Sequence, residues 1–123
     1  VFKNGKQLIP DSIIKETPEA IVQRQLNAYN ARDIDAFMDT YSDDVELYDF
    51  PNTLTTKGKE NMRKGYEGFF KNATNLYCEI EKRMVIGNKV IDHEKVRAGT
   101  STLRAVAEYE VEKGKIKKVT FID

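Results

Sequence analysis

The most regular part of the chain is LYCEIEKRMVIGNKVIDHEKVRAGTSTLRAVAEYEVEKGKIKKVTFI, residues 76–122. Apolar and polar side chains alternate over long stretches of this segment. Three turn signals interrupt the alternation: Gly87-Asn88, Gly99-Thr100 and Lys113-Gly114. Such pairs favour tight turns, and tight turns join antiparallel strands. The segment therefore predicts four antiparallel strands, at Leu76–Ile86, Lys89–Arg97, Thr102–Val111 and Lys115–Ile122.

Helical patterns precede this segment. Thr17-Pro18-Glu19 combines a capping hydroxyl with a proline in the first turn, which predicts a helix from there to about Asn30. Asp33 has the position of a second helix cap, and an apolar stripe follows it at Ile34, Phe37, Met38 and Tyr41. A strand at Val45–Phe50, a loop at Thr53–Lys57 and a third helix from Gly58 to about Ala73 complete the order.

This order predicts an α+β domain in which the helices pack on one face of a mostly antiparallel sheet. Residues 1–16 are expected to form a polar N-terminal extension, and residues 17–123 a single domain. Ile91 and Val106 also place apolar side chains on the second sheet face, although that face should be polar if water covers it. A homodimer formed through the sheet is the simplest way to cover these side chains.

The overall composition limits the kinds of partner. Lysine plus arginine equals aspartate plus glutamate, at 20 each, so there is no electrostatic reason to expect nucleic acid or an anionic membrane. No apolar run reaches the roughly 18 residues of a membrane-spanning helix. The single cysteine, Cys78, excludes an internal disulfide and a zinc site built on paired cysteines, and no metal or cofactor is expected. We therefore expect a soluble protein. The chain begins at Val1 rather than methionine, so either a leader was removed or the sequence was shortened at its start, and the location is open between the cytoplasm and export.

Asp49 is the first candidate for a catalytic residue. It ends the predicted first strand, in the segment VELYDFP at residues 45–51. An apolar pocket around a carboxylate disfavours the charged form and raises its pKa, which suits proton transfer near neutral pH. The alternative is a turn aspartate that binds nearby backbone amides before Pro51.

Four stretches carry a family resemblance. They are Leu26–Asp33, Phe37-Met38 leading into Tyr41–Glu46, Ile86–Glu94 and Tyr109–Ile116. In this order they resemble the nuclear-transport-factor-2-like superfamily, in its SnoaL-like or steroid-isomerase-like branch. The resemblance covers about residues 17–122. It implies a cone-shaped, strongly bent sheet wrapped around three helices, with a pocket for a small apolar molecule between helices and sheet and a dimer formed through the sheet.

The resemblance also implies roles for individual residues. Asp49 falls where the ketosteroid isomerases have their general base, and a tyrosine and a protonated aspartate form the oxyanion hole of those enzymes. The tyrosine position holds Gln25 here, and the second acid position holds Ala107 or Val106, so only the base is matched. His93 is the expected partner of Asp49, although strand alternation leaves open which sheet face it occupies. The expected ligand pocket comprises Gln25, Tyr29, Phe50, Tyr66, Phe69 and Tyr109.

Three functions fit these features, because the superfamily hosts isomerases, cyclases, dehydratases, epoxide hydrolases and proteins that only bind. The first is an enzyme in which Asp49 removes a proton beside the carbonyl of a small apolar compound, while His93, a tyrosine or Gln25 binds the oxyanion. The second is a protein that binds a small molecule in the same pocket without chemistry. The third is a dimeric interaction domain whose sheet surface matters more than its pocket.

Overall fold

The computed structural model describes residues 16–123, which contain three helices and six strands. Their bounds are α1 Pro18–Ala31, α2 Ile34–Asp39, β1 Tyr41–Asp49, β2 Thr53–Lys57, α3 Lys59–Asn72, β3 Tyr77–Ile86, β4 Lys89–Ala98, β5 Ser101–Glu112 and β6 Lys115–Ile122. The strands form one sheet in the order β2-β1-β6-β5-β4-β3. All paired neighbours are antiparallel except β1 and β6, which are parallel.

The predicted α+β class and mostly antiparallel sheet are confirmed. Two predicted helix caps are also present: the Thr17 hydroxyl accepts a hydrogen bond from the amide of Ala20, and the Asp33 carboxylate accepts one from the amide of Ala36, both at 3.1 Å. The extension predicted at residues 1–16 lies outside the described residues except for Glu16. No helix within residues 16–123 combines the length and apolarity needed to cross a membrane.

Two element boundaries differ from the prediction. The apolar stripe predicts Tyr41 within α2, but α2 ends at Asp39, and Tyr41 begins β1 by pairing with Ile116. The Tyr41 ring is nevertheless buried. The apolar stripe therefore predicted its burial correctly but assigned it to a helix instead of a strand. The predicted loop at Thr53–Lys57 is the edge strand β2, whose mostly exposed side chains provide no alternation for a sequence pattern to detect.

Irregular strand pairings bend the sheet into a cone. The register shifts between Leu47 and Tyr48, between Ile80 and Lys82, and between Glu110 and Val111. An extra residue in one strand of a pair increases the local bend and twist. The concave face then closes over the helices around a core that is at most 2% exposed. This core includes Ile21, Val22, Phe37, Met38, Val45, Met62, Val90, Ile116 and Val119.

Alternation along β4 determines which side chains enter the cone. Val90, Asp92 and Glu94 are buried on the concave face, and the residues between them point to the outer face. On the β5 side, the cross-strand partners of the two acids are alanines, with Asp92 opposite Ala107 and Glu94 opposite Ala105. Ala105 has a small side chain and lines an interior cavity together with Glu94, so space remains next to this acid inside the cone.

Candidate functional site

A cavity of about 240 Å³ lies between the helices and the concave face of the sheet. Glu94 is the one carboxylate among the described residues that line it, and we call this space the Glu94 cavity. Five residues predicted for the ligand pocket line it as well: Gln25, Tyr29, Tyr66, Phe69 and Tyr109. An aromatic and aliphatic lining with a few polar groups is typical of sites for small molecules.

Glu94 has an environment suited to proton transfer. Its side chain is 9% exposed, and the Tyr109 hydroxyl donates a hydrogen bond to its Oε2 at 3.2 Å. Burial is the main cause that raises the pKa of Glu94, and the nearby charge of Asp92 adds to it. The Tyr109 hydrogen bond and the charge of Arg83 act in the opposite direction, and the resulting pKa is about 7. Glu94 can therefore accept or release a proton near neutral pH.

Asp92 lies on the same sheet face as Glu94 but has a different partner. Arg83 Nε donates to Asp92 Oδ1 at 2.6 Å, and Arg83 Nη2 donates to Asp92 Oδ2 at 2.9 Å. Arg83 Nη1 also donates to Gln23 Oε1 at 2.8 Å, which holds the guanidinium from the helix side. Both carboxylate oxygens of Asp92 are thus bound by a cation, whereas no described cation pairs with Glu94. Two neighbouring acids can have different roles when their surroundings differ in this way, because the surroundings set the pKa of each carboxyl.

Two tyrosine hydroxyls are free to bind a ligand. Within residues 16–123, the hydroxyls of Tyr29 and Tyr66 have no hydrogen-bond partner, and both side chains are half-buried in the wall of the cavity. Burial raises the pKa of Tyr66 to about 12, so its phenol stays protonated and able to donate. Gln25 is less available, because its amide nitrogen donates to the carbonyl of Val22 and its oxygen accepts from the buried Tyr41 hydroxyl.

Three predicted site residues lie elsewhere. Asp49 pairs with Phe121 at the rim of the cavity, but its side chain is exposed, so the expectation of a buried acid at this position is wrong. Phe50 follows the end of β1 and is 61% exposed. The His93 side chain is 44% exposed on the outer face, where its Nε2 lies 3.8 Å from Glu81 Oε1. Strand alternation places His93 on the face opposite Glu94, so it cannot act with an acid inside the cone.

The sequence-based prediction missed Glu94, Asp92 and Arg83 as site residues. A usable signal was present, because both acids share a strand row with Val90 and an acid in an apolar row indicates a polar group inside the fold. Arg83 has no comparable signal, because a register shift in β3 sets the direction of its side chain. Among residues 16–123, no three His, Cys, Asp or Glu side chains come together as a metal site requires.

The bent sheet and the three helices define a small domain of the cone-shaped α+β class. The SnoaL-like domain model matches residues 22–119, and the chain belongs to this family. Its fold is that of NTF2-like proteins. No curated protein matches the chain.

Solved structures with the same fold include three bacterial proteins. An uncharacterised cystatin-fold protein from Novosphingobium aromaticivorans has a TM-score of 0.80 and 25% identity, over 88% of this chain and 99% of that one. An NTF2-like protein of unknown function from Cytophaga hutchinsonii has a TM-score of 0.75 and 19% identity, over 90% and 94% of the two chains. A putative polyketide cyclase from Sinorhizobium meliloti has a TM-score of 0.71 and 20% identity, over 92% and 94%.

Proposed function

We propose that this protein is an acid–base enzyme that acts on a small apolar carbonyl compound in the Glu94 cavity. The observation that carries the proposal is a single carboxylate, with a pKa of about 7, among the described residues that line an apolar cavity. General acid–base catalysis is most efficient when the pKa of the catalytic group lies near the working pH. Glu94 therefore replaces Asp49 as the first candidate for the base.

The proposed step is proton removal from the carbon beside the carbonyl. The Glu94 carboxylate takes the proton, the electron pair of the broken C–H bond forms the enolate double bond, and negative charge develops on the carbonyl oxygen. The Tyr66 hydroxyl donates to that oxygen, which lowers the barrier because the donor is already in place. Glu94 then returns its proton to another carbon in an isomerisation, or to a leaving hydroxyl in a dehydration.

Cyclisation of a polyketide also begins with removal of a proton beside a carbonyl. The putative polyketide cyclase from Sinorhizobium meliloti shares the fold of this chain, and at 20% identity the likeness concerns the fold alone. Cyclisation therefore remains within the proposed reaction class beside isomerisation and dehydration. Binding without chemistry is the alternative function, and the exchange experiment in the Discussion distinguishes the two.

The raised pKa of Glu94 predicts a pH-dependent stability. Folding raises this pKa from an ordinary 4.5 to about 7, so the folded chain holds the proton more tightly than the unfolded chain. Raising the pH through this window then lowers the free energy of unfolding, by on the order of 3 kcal/mol in total. This loss of stability is absent at pH values below the pKa of Glu94 in the unfolded chain. It is complete at pH values above the pKa of Glu94 in the folded chain. Glu94→Gln has no such penalty, so its stability relative to wild type should rise by that amount across the window.

Urea denaturation at about pH 5 and about pH 8 measures this difference. Glu81→Gln is the matched control, because Arg104 holds the pKa of the Glu81 carboxyl below its usual value on the outer face. The control should change little relative to wild type between the two pH values, since Glu81 is charged in both the folded and the unfolded chain there. Equal pH dependence in wild type and Glu94→Gln would show that Glu94 does not titrate with a raised pKa.

We also propose that the outer face of the sheet forms a homodimer. Ile91, Val106 and Ile122 lie on this face half-buried, and Met84 and Ile86 are more than 60% exposed at its corner. Such a patch on one sheet face is typical of an interaction surface.

Sedimentation equilibrium should give twice the mass of the chain. Val106→Glu, at the centre of this face, should give a monomer, and Asn27→Glu on the exposed side of α1 should remain dimeric. A monomeric wild type would refute the proposal.

A further inference from the structure

A groove of about 340 Å³ runs between α3 and the β1–β2 hairpin, next to the Glu94 cavity. Its own lining residues are Leu47, Thr56, Asn61, Met62 and Gly65, and we call it the α3 groove. The lining is mostly apolar, so the groove is suited to an apolar group.

Aromatic side chains separate the α3 groove from the Glu94 cavity. Tyr29, Tyr66 and Phe69 line both spaces. The Phe69 ring centroid lies 6.3 Å from that of Tyr29 and 6.4 Å from that of Tyr66, so the Phe69 ring packs against both tyrosine rings. Phe69 is 40% exposed and is therefore held by packing on only part of its surface. The boundary between the two spaces consists of side chains, which can rotate, rather than of backbone.

Gly65 keeps the α3 groove open. It lies in the interior of α3, where glycine weakens a helix because its backbone has more freedom to lose. Packing does not require a glycine here, because a Cβ atom at this position would meet nothing within 4 Å. Because Gly65 has no side chain, this part of the groove stays unfilled. Gly68 on the same helix is equally unobstructed but does not line the groove, and it offers a matched comparison.

We propose that the α3 groove is a second compartment of the ligand site, and that it holds an apolar extension of the compound whose carbonyl lies at Glu94. This inference rests on the proposed function. Sites for small molecules usually have volumes of about 300–1,000 Å³. The Glu94 cavity, at about 240 Å³, is below this range, and the two spaces together fall within it. The ligand class is therefore an aryl or cyclic ketone with an alkyl extension of several carbons.

The experiment compares the binding of acetophenone and 4-butylacetophenone, followed by NMR titration. Wild type should bind the butyl compound at least about tenfold more tightly, because each buried methylene is worth roughly a factor of four. Gly65→Leu should abolish this advantage by filling the groove and should leave the affinity for acetophenone within about twofold of wild type. Gly68→Leu should keep the advantage, and Phe69→Ala, which removes part of the boundary, should increase it.

The outcomes separate the inference from the function on which it rests. If acetophenone binds and the butyl advantage persists in Gly65→Leu, the second compartment is refuted while the Glu94 cavity remains the ligand site. If neither ketone binds wild type, the proposed function itself is refuted. Loss of the advantage in both glycine variants would indicate a general effect on α3 and would also refute the inference.

Discussion

Glu94→Gln should slow the exchange of protons beside the carbonyl of a bound ketone by roughly 10²- to 10⁴-fold. Glutamine keeps the size of the side chain and can still accept the hydrogen bond from Tyr109, but it cannot take up a proton. The measurement is incorporation of deuterium into 4-butylacetophenone in D₂O, followed by proton NMR. Exchange reports the proposed first step directly, so the product of the complete reaction need not be identified.

Asp49→Asn is the matched control for this experiment. Asp49 lies at the rim of the cavity with an exposed side chain, so its loss should leave the exchange rate within about twofold of wild type. A large loss in Asp49→Asn together with a normal rate in Glu94→Gln would assign the base to Asp49. Saturable binding of the ketone by wild type without any exchange would support the alternative function, a binding protein without chemistry.

Arg83→Met should destabilise the fold by about 3–5 kcal/mol, because it leaves an unpaired charge in the interior. Asp92 is 1% exposed, and Arg83 binds both of its oxygens. Without the guanidinium, the buried carboxylate of Asp92 has lost the cation that compensates its charge, which costs stability. Urea denaturation near neutral pH measures the loss.

Two further variants show whether burial of the ion pair causes this effect. The double variant Arg83→Met/Asp92→Leu should recover most of the lost stability, because no buried charge remains. Arg104→Met is the comparison for an exposed pair: Arg104 is bound to Glu81 at 2.8 Å with 55% of its side chain exposed. It should cost far less stability than Arg83→Met, because solvent screens an exposed ion pair. Equal losses in Arg83→Met and Arg104→Met would contradict a special role for the buried pair.

The type and order of most elements could be predicted because their signals are local. The Thr17 and Asp33 caps act over three residues, and the turn glycines have positive φ angles, with Gly87 at 58° and Gly114 at 78°. Alternation in β5 places Ala105, Ala107 and Tyr109 on one face, and all three lie toward the interior. These signals depend on backbone geometry within a few residues, which one sequence contains in full.

The local chemistry of the chain was enough to specify an α+β fold, its helix starts and its hairpins. The five predicted pocket residues that line the cavity came from the family resemblance. Which acid is buried inside the cone depended on contacts between segments that are far apart in the sequence. Asp49 is exposed because β1 ends at the rim, whereas Glu94 is buried because the bent sheet turns that row of β4 toward the helices. Arg83 reaches Asp92 only through the register of β3 on β4. Burial and charge pairing set a pKa, and both arise when the sheet closes over the helices.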